Sequence, residues 1–300
     1  MIRLTRLACL CFVAGVLIAP PASASGGPNT IVFDRAGDLY TIRPGHPPVR
    51  LTNTEAREHQ PAWAPGRAEV AFAVGRRAIG VLDIASRQRR VIARLPDRFD
   101  EIGAVAWSSS GSIDVAAMNT FRRDGTFRLN GTVWTVRPDG TRLREILSGQ
   151  GLITGLGFTP NGASVLASTE WPNGVILWRR HAPLGVIAFA PDGCDVKLVF
   201  KTLASDLDVS QARPRVVYRG WSRTCHACGE IWRMSVDGKG AHVIALPPKG
   251  HYGLYEPRFS PSGRRVALLA SKGRGTSLWI MRPDGTRLHQ VLGRVSSLDW

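Results

Sequence analysis

The sequence predicts an all-β chain: a six-bladed β-propeller of four-stranded antiparallel sheets, closed by N-terminal strands pairing with the C-terminal strand. Three observations predict it. A strand–turn pattern recurs six times, hairpin signals fall between its copies, and the two chain ends read as complementary parts of one sheet. At 300 residues, length alone would suggest about two domains, but internal repetition at this period overrides that prior.

The recurring pattern is an aromatic or apolar anchor, a polar turn rich in Ser, Pro and Gly, and then a β-rich run. Trp63-Ala-Pro-Gly66 precedes Glu69–Ala73, Trp107-Ser-Ser-Ser-Gly111 precedes Ile113–Ala117, and Phe158-Thr-Pro-Asn-Gly162 precedes Ser164–Ser168. Phe259-Ser-Pro-Ser-Gly263 precedes Arg265–Leu269, and a degenerate copy runs from Leu207-Asp-Val209 to Arg215–Tyr218. The last copy is Leu298-Asp-Trp300. Anchors therefore stand at 63, 107, 158, 209, 259 and 300, with gaps of 44, 51, 51, 50 and 41 residues. That is close to the length of a four-stranded blade, about 40–50 residues.

A second hairpin lies between anchors. Its members are Leu39–Gly45, Val133–Gly140, Ile231–Gly238 and Leu278–Gly285, the last three ending in Asp-Gly. Asp-Gly between apolar runs marks a hairpin because glycine takes the positive φ of the turn. Each blade thus reads as strands A and B around the first turn and C and D around the second. Ile187–Gly193 is assigned to strands C and D of the fourth blade, since counting it as another A–B turn would make gaps of 31 and 70. That blade then carries a B–C insertion with Trp171 and Val175-Ile-Leu-Trp178, which the repeat does not place.

The ends fit together. Thr30 to Thr52 supplies strands B, C and D without an A strand, and Val295 to Trp300 is an A strand with nothing after it. Joining them completes a blade and removes open strand edges.

Residues 1–24 read as a signal peptide. Arg3 and Arg6 precede an apolar run from Leu7 to Ala19, and Ala22-Ser23-Ala24 has the small-x-small form of a cleavage site. The run is shorter than the roughly 20 residues of a membrane-spanning helix, and no later stretch is apolar for long enough. Residues 25–300 are then the propeller, expected to be a secreted or periplasmic monomer with no transmembrane segment.

The 39 Lys and Arg against 23 Asp and Glu give a net charge of +16, and losing Arg3 and Arg6 leaves +14. Only five of the basic residues are lysine. Such charge suits an anionic polymer. The arginines, however, occur as pairs in separate loops (Arg76-Arg77, Arg89-Arg90, Arg122-Arg123, Arg179-Arg180, Arg264-Arg265). Scattering of this kind argues for solvated loop tips and against specific nucleic-acid recognition.

The A–B turn motif, the apolar strand after it and the Trp-x-x-x-Pro-Asp-Gly hairpin resemble the TolB-like propeller repeats of exported bacterial proteins. The resemblance covers about residues 30 to 300. It implies a binding or scaffold module for a protein or cell-envelope component. TolB itself carries an additional N-terminal α/β domain that this sequence is not expected to have, so that domain's partner contacts are not implied.

In such a blade the D–A and B–C loops open on one face and the A strands line the channel. The residues three before the anchors, Gln60, Ala104, Gly155, Asp206, Glu256 and Ser297, should point near the channel mouth. Nearby D–A loops add Glu58, His59, Asp100, Glu101, His251, Tyr252 and Tyr255. His59, Gln60, Asp206, His251, Tyr255 and Glu256 are the candidate ligand-binding set, for a cation, a metal or a basic peptide group. The alternative is that channel carboxylates only bond water and strand ends. A metal-dependent hydrolase or lyase would need several carboxylate, amide or imidazole ligands converging on one ion. Gly-x-Ser-x-Gly, a phosphate-binding glycine loop and His-Glu-x-x-His are all missing from the sequence. No catalytic residue, metal ligand or cofactor is therefore assigned.

Cys225-His-Ala-Cys228 sits in the B–C loop of the fifth blade. A redox pair would normally open a helix, and a zinc site needs four ligands. A disulfide between Cys225 and Cys228 is the expected reading, which leaves Cys194 unpaired. Tyr40, Trp134, Trp232 and Trp279 recur at one position of strand C, which points to packing between sheets. Trp171, Trp178 and Trp221 break the repeat. Trp221 is the candidate interface residue, because aromatic anchors are enriched at interface hot spots.

Overall fold

A computed structural model describes residues 27–123, 126–170, 176–177, 185–221 and 229–300. The signal-peptide segment, Trp171, Trp178 and the Cys225–Cys228 pair lie outside the described residues.

Among the described residues there is no helix, and the strands form six sheets. Blade one holds β1 (Ile31–Arg35), β2 (Asp38–Ile42) and β3 (Val49–Arg50). Blade two follows with β4 (Glu58–Trp63), β5 (Glu69–Val74), β6 (Ala78–Asp83) and β7 (Arg89–Arg94). Blade three has β8 (Glu101–Trp107), β9 (Ile113–Arg123), β10 (Thr126–Val136) and β11 (Arg144–Gln150). Blade four is β12 (Leu152–Phe158), β13 (Val165–Glu170), β15 (Gly185–Phe189) and β16 (Lys197–Phe200), with β14 (Ile176–Leu177) in its insertion. Blade five is β17 (Ala204–Val209), β18 (Arg215–Trp221), β19 (Gly229–Ser235) and β20 (His242–Ala245). Blade six is β21 (Gly253–Phe259), β22 (Val266–Lys272), β23 (Gly275–Met281) and β24 (His289–Gly293).

The last strand, β25 (Ser297–Asp299), pairs antiparallel with β1 in the register Val32–Asp299, Phe33–Leu298 and Asp34–Ser297. It completes the first blade as its A strand, as the complementary ends predict. The insertion that the repeat left unplaced reaches the preceding blade: Ile176 and Leu177 pair in parallel with Arg128 and Leu129 of β10.

The turns explain the repeat. In the A–B turns a hydroxyl of the first turn residue accepts a backbone N–H across the turn, as Ser108 does from Ser112, Thr159 from Ser164 and Ser260 from Arg265, each at 3.0 Å. In the C–D turns the aspartate caps the backbone two residues on, as Asp139 does at Thr141 (2.9 Å) and Asp284 at Thr286 (3.0 Å). The glycine after it has φ of 85° at Gly140 and 84° at Gly285. A Cβ at either would run into the carbonyl of Ile92 or Ile244 in strand D of the preceding blade. The glycine thus serves both the turn and the contact between blades.

Faces of adjacent sheets make the core. Between blades two and three, Ala71, Ala73, Ile79 and Val81 pack with Ile102, Val105 and Val115. Between blades six and one, Leu269, Leu278 and Ile280 pack with Ile31, Phe33, Leu298 and Trp300. Each large aliphatic or aromatic side chain so buried stabilises the ring by about 1.5–3 kcal/mol. Small residues set how closely blades approach: a Cβ on Gly155 would meet the backbone of Leu207 in the next blade. The recurring aromatics of strand C pack on these inter-blade clusters and also on rings of their own blade or the adjoining loop. Tyr40 stacks on Phe33 (5.5 Å between centroids), Trp232 stacks on Tyr218 (6.3 Å) and Trp134 meets Phe99 edge-on (5.6 Å).

Candidate functional site

The A strands surround a channel in the order β25, β4, β8, β12, β17 and β21. Two rows of residues face it, three before and one before each anchor.

In the upper row, Gln60, Asp206 and Glu256 have φ of 51°, 51° and 45°. This left-handed backbone is unusual for a residue with a side chain, and it coincides with a register shift between strands A and B in the same three blades. The bulge re-aims the backbone N–H sideways, and the adjoining blade accepts it. Gln60 N–H donates to Ser297 Oγ (2.9 Å), Asp206 N–H to Thr154 Oγ1 (3.3 Å) and Glu256 N–H to Asp206 Oδ2 (3.4 Å). Glu256 in turn accepts from Leu298 N–H (3.2 Å) and from the Gln60 amide (3.4 Å). The Ser297 hydroxyl donates to the Asp34 carboxylate. One rung below, Asp208 accepts Phe259 N–H and Asp299 accepts Trp63 N–H, both at 2.7 Å. Channel carboxylates thus tie strand A of one blade to strand A of the next.

Burial dominates the electrostatics of this ladder. It pushes the Glu256 carboxyl up to about 8, with the nearby charges of Asp206 and Asp34 adding to the effect. It raises Asp206 as well, and it takes Asp208 to about 7, with a further push from Asp299. Arg258 stands among them. Enclosure works against its charge, but Glu256, Asp208, Asp299 and Asp206 together more than offset this and hold its pKa above the ordinary arginine value.

The D–A/B–C end of the channel carries an aromatic clamp. The Arg219 guanidinium lies 4.4 Å from the Trp221 ring centroid and 4.3 Å from that of Tyr255. Its charge also reaches Asp206. Tyr252 projects beside this mouth, 62% exposed. The predicted residues thus divide. Gln60, Asp206 and Glu256 meet in the channel, and Tyr255 and Trp221 meet at the clamp. His59 is buried with Nε2 on the Gly75 carbonyl (2.9 Å), and His251 packs edge-on against Trp279 (5.3 Å). Neither imidazole hydrogen-bonds to Asp206 or Glu256, but His59 stands 4.0 Å from Glu101 Oε1 and its charge partly counters the burial that raises Asp34. Among the described residues no group of three or more His, Cys, Asp or Glu is arranged to hold a metal ion.

A cavity of about 380 Å³ opens at the other end, under the A–B turns. Its walls come from the row just before the anchors, which reads Ala62, Ala106, Gly157, Asp208, Arg258 and Asp299 around the ring. This row was not among the sequence candidates. The signal was present: side chains in a strand alternate with period two, so the residue before each anchor shares the channel side with the residue two further back. The switch from small residues to three charged ones marks one half of the ring.

No protein-family model matches this chain, and no curated protein matches it. Solved structures do. TolB from Acinetobacter baumannii superposes with a TM-score of 0.68 at 18% identity, over 91% of this chain and 66% of that one. The chain therefore spans just under two thirds of that TolB. A putative TolB from Agrobacterium tumefaciens gives 0.66 at 14% identity, over 88% of each chain. An oligogalacturonate lyase in complex with manganese gives 0.52 at 12% identity, over 86% of this chain and 87% of that one. At such identities the likeness is one of fold: a TolB-like six-bladed propeller, an architecture shared by binding proteins and enzymes.

Proposed function

We propose that the chain is an exported binding module, with residues 1–24 as its export signal and residues 25–300 as its propeller, and that it holds a protein or cell-envelope component at the D–A/B–C mouth. One observation carries this reading: the Arg219 guanidinium stacks between Trp221, at the end of β18, and Tyr255, near the start of β21, at the D–A/B–C end of the ring. Aromatic and arginine side chains are enriched where interfaces concentrate their binding energy. A guanidinium already sandwiched between two rings loses little freedom when a partner covers it.

The competing reading is a metal-dependent hydrolase or lyase, for which the lyase with manganese offers a precedent of fold. Asp206 and Glu256 each give an oxygen to a backbone N–H of the neighbouring blade, and this favours the binding role. The two readings separate by experiment. Cross-linking in the exported fraction should capture a partner with the wild-type chain and lose it with Trp221→Ala. Unchanged capture by Trp221→Ala would overturn the assignment of the mouth. A stoichiometric ion in protein purified without added metal, with a melting temperature lowered by chelator, would favour the enzyme.

A further inference from the structure

The cavity under the A–B turns is divided in charge as well as position. Blades three and four give it an apolar wall: Val105, Trp107, Leu156 and Phe158. Blades five, six, one and two give it, in ring order, Asp208, Arg258, Asp299 and Arg67. Signs alternate along that arc, and its formal charge sums to zero.

The charged groups keep bonding capacity toward the cavity. Asp208 and Asp299 each place one oxygen, Oδ2, on a backbone N–H of the next blade. Among the described residues Asp299 Oδ1 accepts no further hydrogen bond, and Asp208 has the N–H of its neighbour Val209 besides that of Phe259, so both carboxylates keep acceptor capacity. Arg258 spends one nitrogen, Nη1, on the Pro257 carbonyl at 3.1 Å. Among the described residues no carboxylate comes within 4.0 Å of its guanidinium. Arg67 plays a different part. Its guanidinium lies over the Trp63 ring at 4.3 Å and donates to the Thr30 carbonyl, so it closes the wall.

We propose that this cavity binds a zwitterionic α-amino acid or short peptide with an apolar side chain, carboxylate on Arg258, ammonium on Asp299 and Asp208, and side chain against Trp107 and Phe158. A purely anionic ligand would meet two aspartates beside the arginine. A purely cationic one would offer no acceptor to the remaining Arg258 donors. An uncharged apolar molecule would strip water from all three charges without replacing their bonds. Only a molecule carrying both signs at one end matches an arc of alternating charge and an opposite apolar wall. The volume is in the range of sites for small organic ligands, roughly 300–1,000 Å³. This site is independent of the mouth at the other end.

Calorimetric titration of the purified chain tests it, with L-phenylalanine and L-leucyl-L-phenylalanine as probes. 3-Phenylpropionate and phenethylamine serve as the carboxylate-only and ammonium-only halves. Saturable binding of a zwitterion about tenfold or more tighter than of either half is expected, since a charged hydrogen bond contributes that much. Equal affinity for a half-molecule, or no binding of either zwitterion, would overturn the proposal. Arg258→Met should weaken binding by about tenfold or more. Ala106→Leu should block the apolar half without touching a charge or the carboxylate ladder, and it guards against a misfolded Arg258→Met. A folded Ala106→Leu chain, judged by its melt, that binds like wild type would refute the location.

Discussion

The carboxylate of Asp299 accepts the backbone N–H of Trp63 at 2.7 Å, joining residues 236 positions apart. Strand β25 thereby holds blade one by its main chain and blade two by a side chain. Asp299→Ala should lose about 1–3 kcal/mol, the usual cost of stranding a charge-assisted partner, read as a shift in urea midpoint. Deleting Ser297–Trp300 should do far more. It uncovers β1 as a free edge and removes Leu298 and Trp300 from the cluster around Ile31 and Phe33. Aggregation on gel filtration and loss of a single cooperative melt are expected. A monomer that melts normally would show that the ring does not depend on this closure.

Glycines with the same backbone should differ in cost. Gly45 and Gly285 both end C–D turns, with φ of 87° and 84°. Nothing stands within 4 Å of a Cβ on Gly45, whereas one on Gly285 would meet the Ile244 carbonyl. Gly45→Ala should cost about 1–2 kcal/mol, the left-handed penalty alone. Gly285→Ala should add overpacking of a further 1–3 kcal/mol or so. Matched urea melts of the two variants measure the difference directly, and equal losses would mean that the blade contact yields freely.

The ring and its closure were legible because they rest on local chemistry that repeats: Ser or Thr in the A–B turn, Asp-Gly in the C–D turn, and an unpaired strand set at each end. The upper channel row was legible for the same reason, by counting back from the anchors. What counting did not reveal was the backbone. The left-handed bulge at Gln60, Asp206 and Glu256 depends on a neighbouring blade catching each redirected N–H, and that partner lies about 50 or more residues away in sequence. The Arg219 clamp was hidden for a related reason. Tyr255 reads from the repeat as a mouth residue and Trp221 as an interface residue, but nothing in the repeat points to the one guanidinium that the fold places between them. The lower row of Asp208, Arg258 and Asp299 was within reach of a period-two argument, but it lies on the face opposite to the one where a ligand was expected.

Cys194 sits exposed just after the C–D turn of blade four and is unpaired. The charge of Asp192 raises its thiol pKa, assisted by the carboxylate's contact with the thiol. Alkylation should therefore be slow near neutrality despite full access, because the thiolate is the reactive form. Rates of iodoacetamide labelling followed from pH 7 to 10 should climb later for Cys194 than for a small free thiol, and Cys194→Ser should remove that phase. An Asp192→Asn chain should label faster at a given pH. If it does not, the carboxylate is not what holds the thiol protonated.

Stability should fall as pH rises from about 4 to about 8, and Asp114 and Glu256 give the reason. Burial raises Asp114 from 3.8 to about 7 and Glu256 from 4.5 to about 8. Asp114 is almost fully buried, and the Thr135 hydroxyl and the Arg144 charge offset that burial only in part. In the unfolded chain these carboxyls ionise near their ordinary values, so above pH 4–5 the unfolded state has shed protons that the folded state still holds. Stability then decreases with pH until the folded groups ionise too. The contribution is fully present below the unfolded pKa and lost by the folded one. The turn aspartates Asp139, Asp192 and Asp284 are shifted the other way by their own hydrogen bonds, but they act below pH 4 and lie exposed, where such effects are weak. Asp114→Asn keeps the shape and removes the titration. It should flatten the slope between pH 5 and 8 and raise stability at pH 8 by an amount on the order of a few kcal/mol at most, given about 1.4 kcal/mol per pKa unit. Glu256→Gln should flatten it less cleanly, because the amide keeps the acceptor for Leu298 but changes the balance around Arg258. Urea midpoints at pH 5, 6.5 and 8 decide the matter: a wild-type profile that rises with pH, or an Asp114→Asn profile as steep as wild type, would mean that these carboxyls are ionised in the fold.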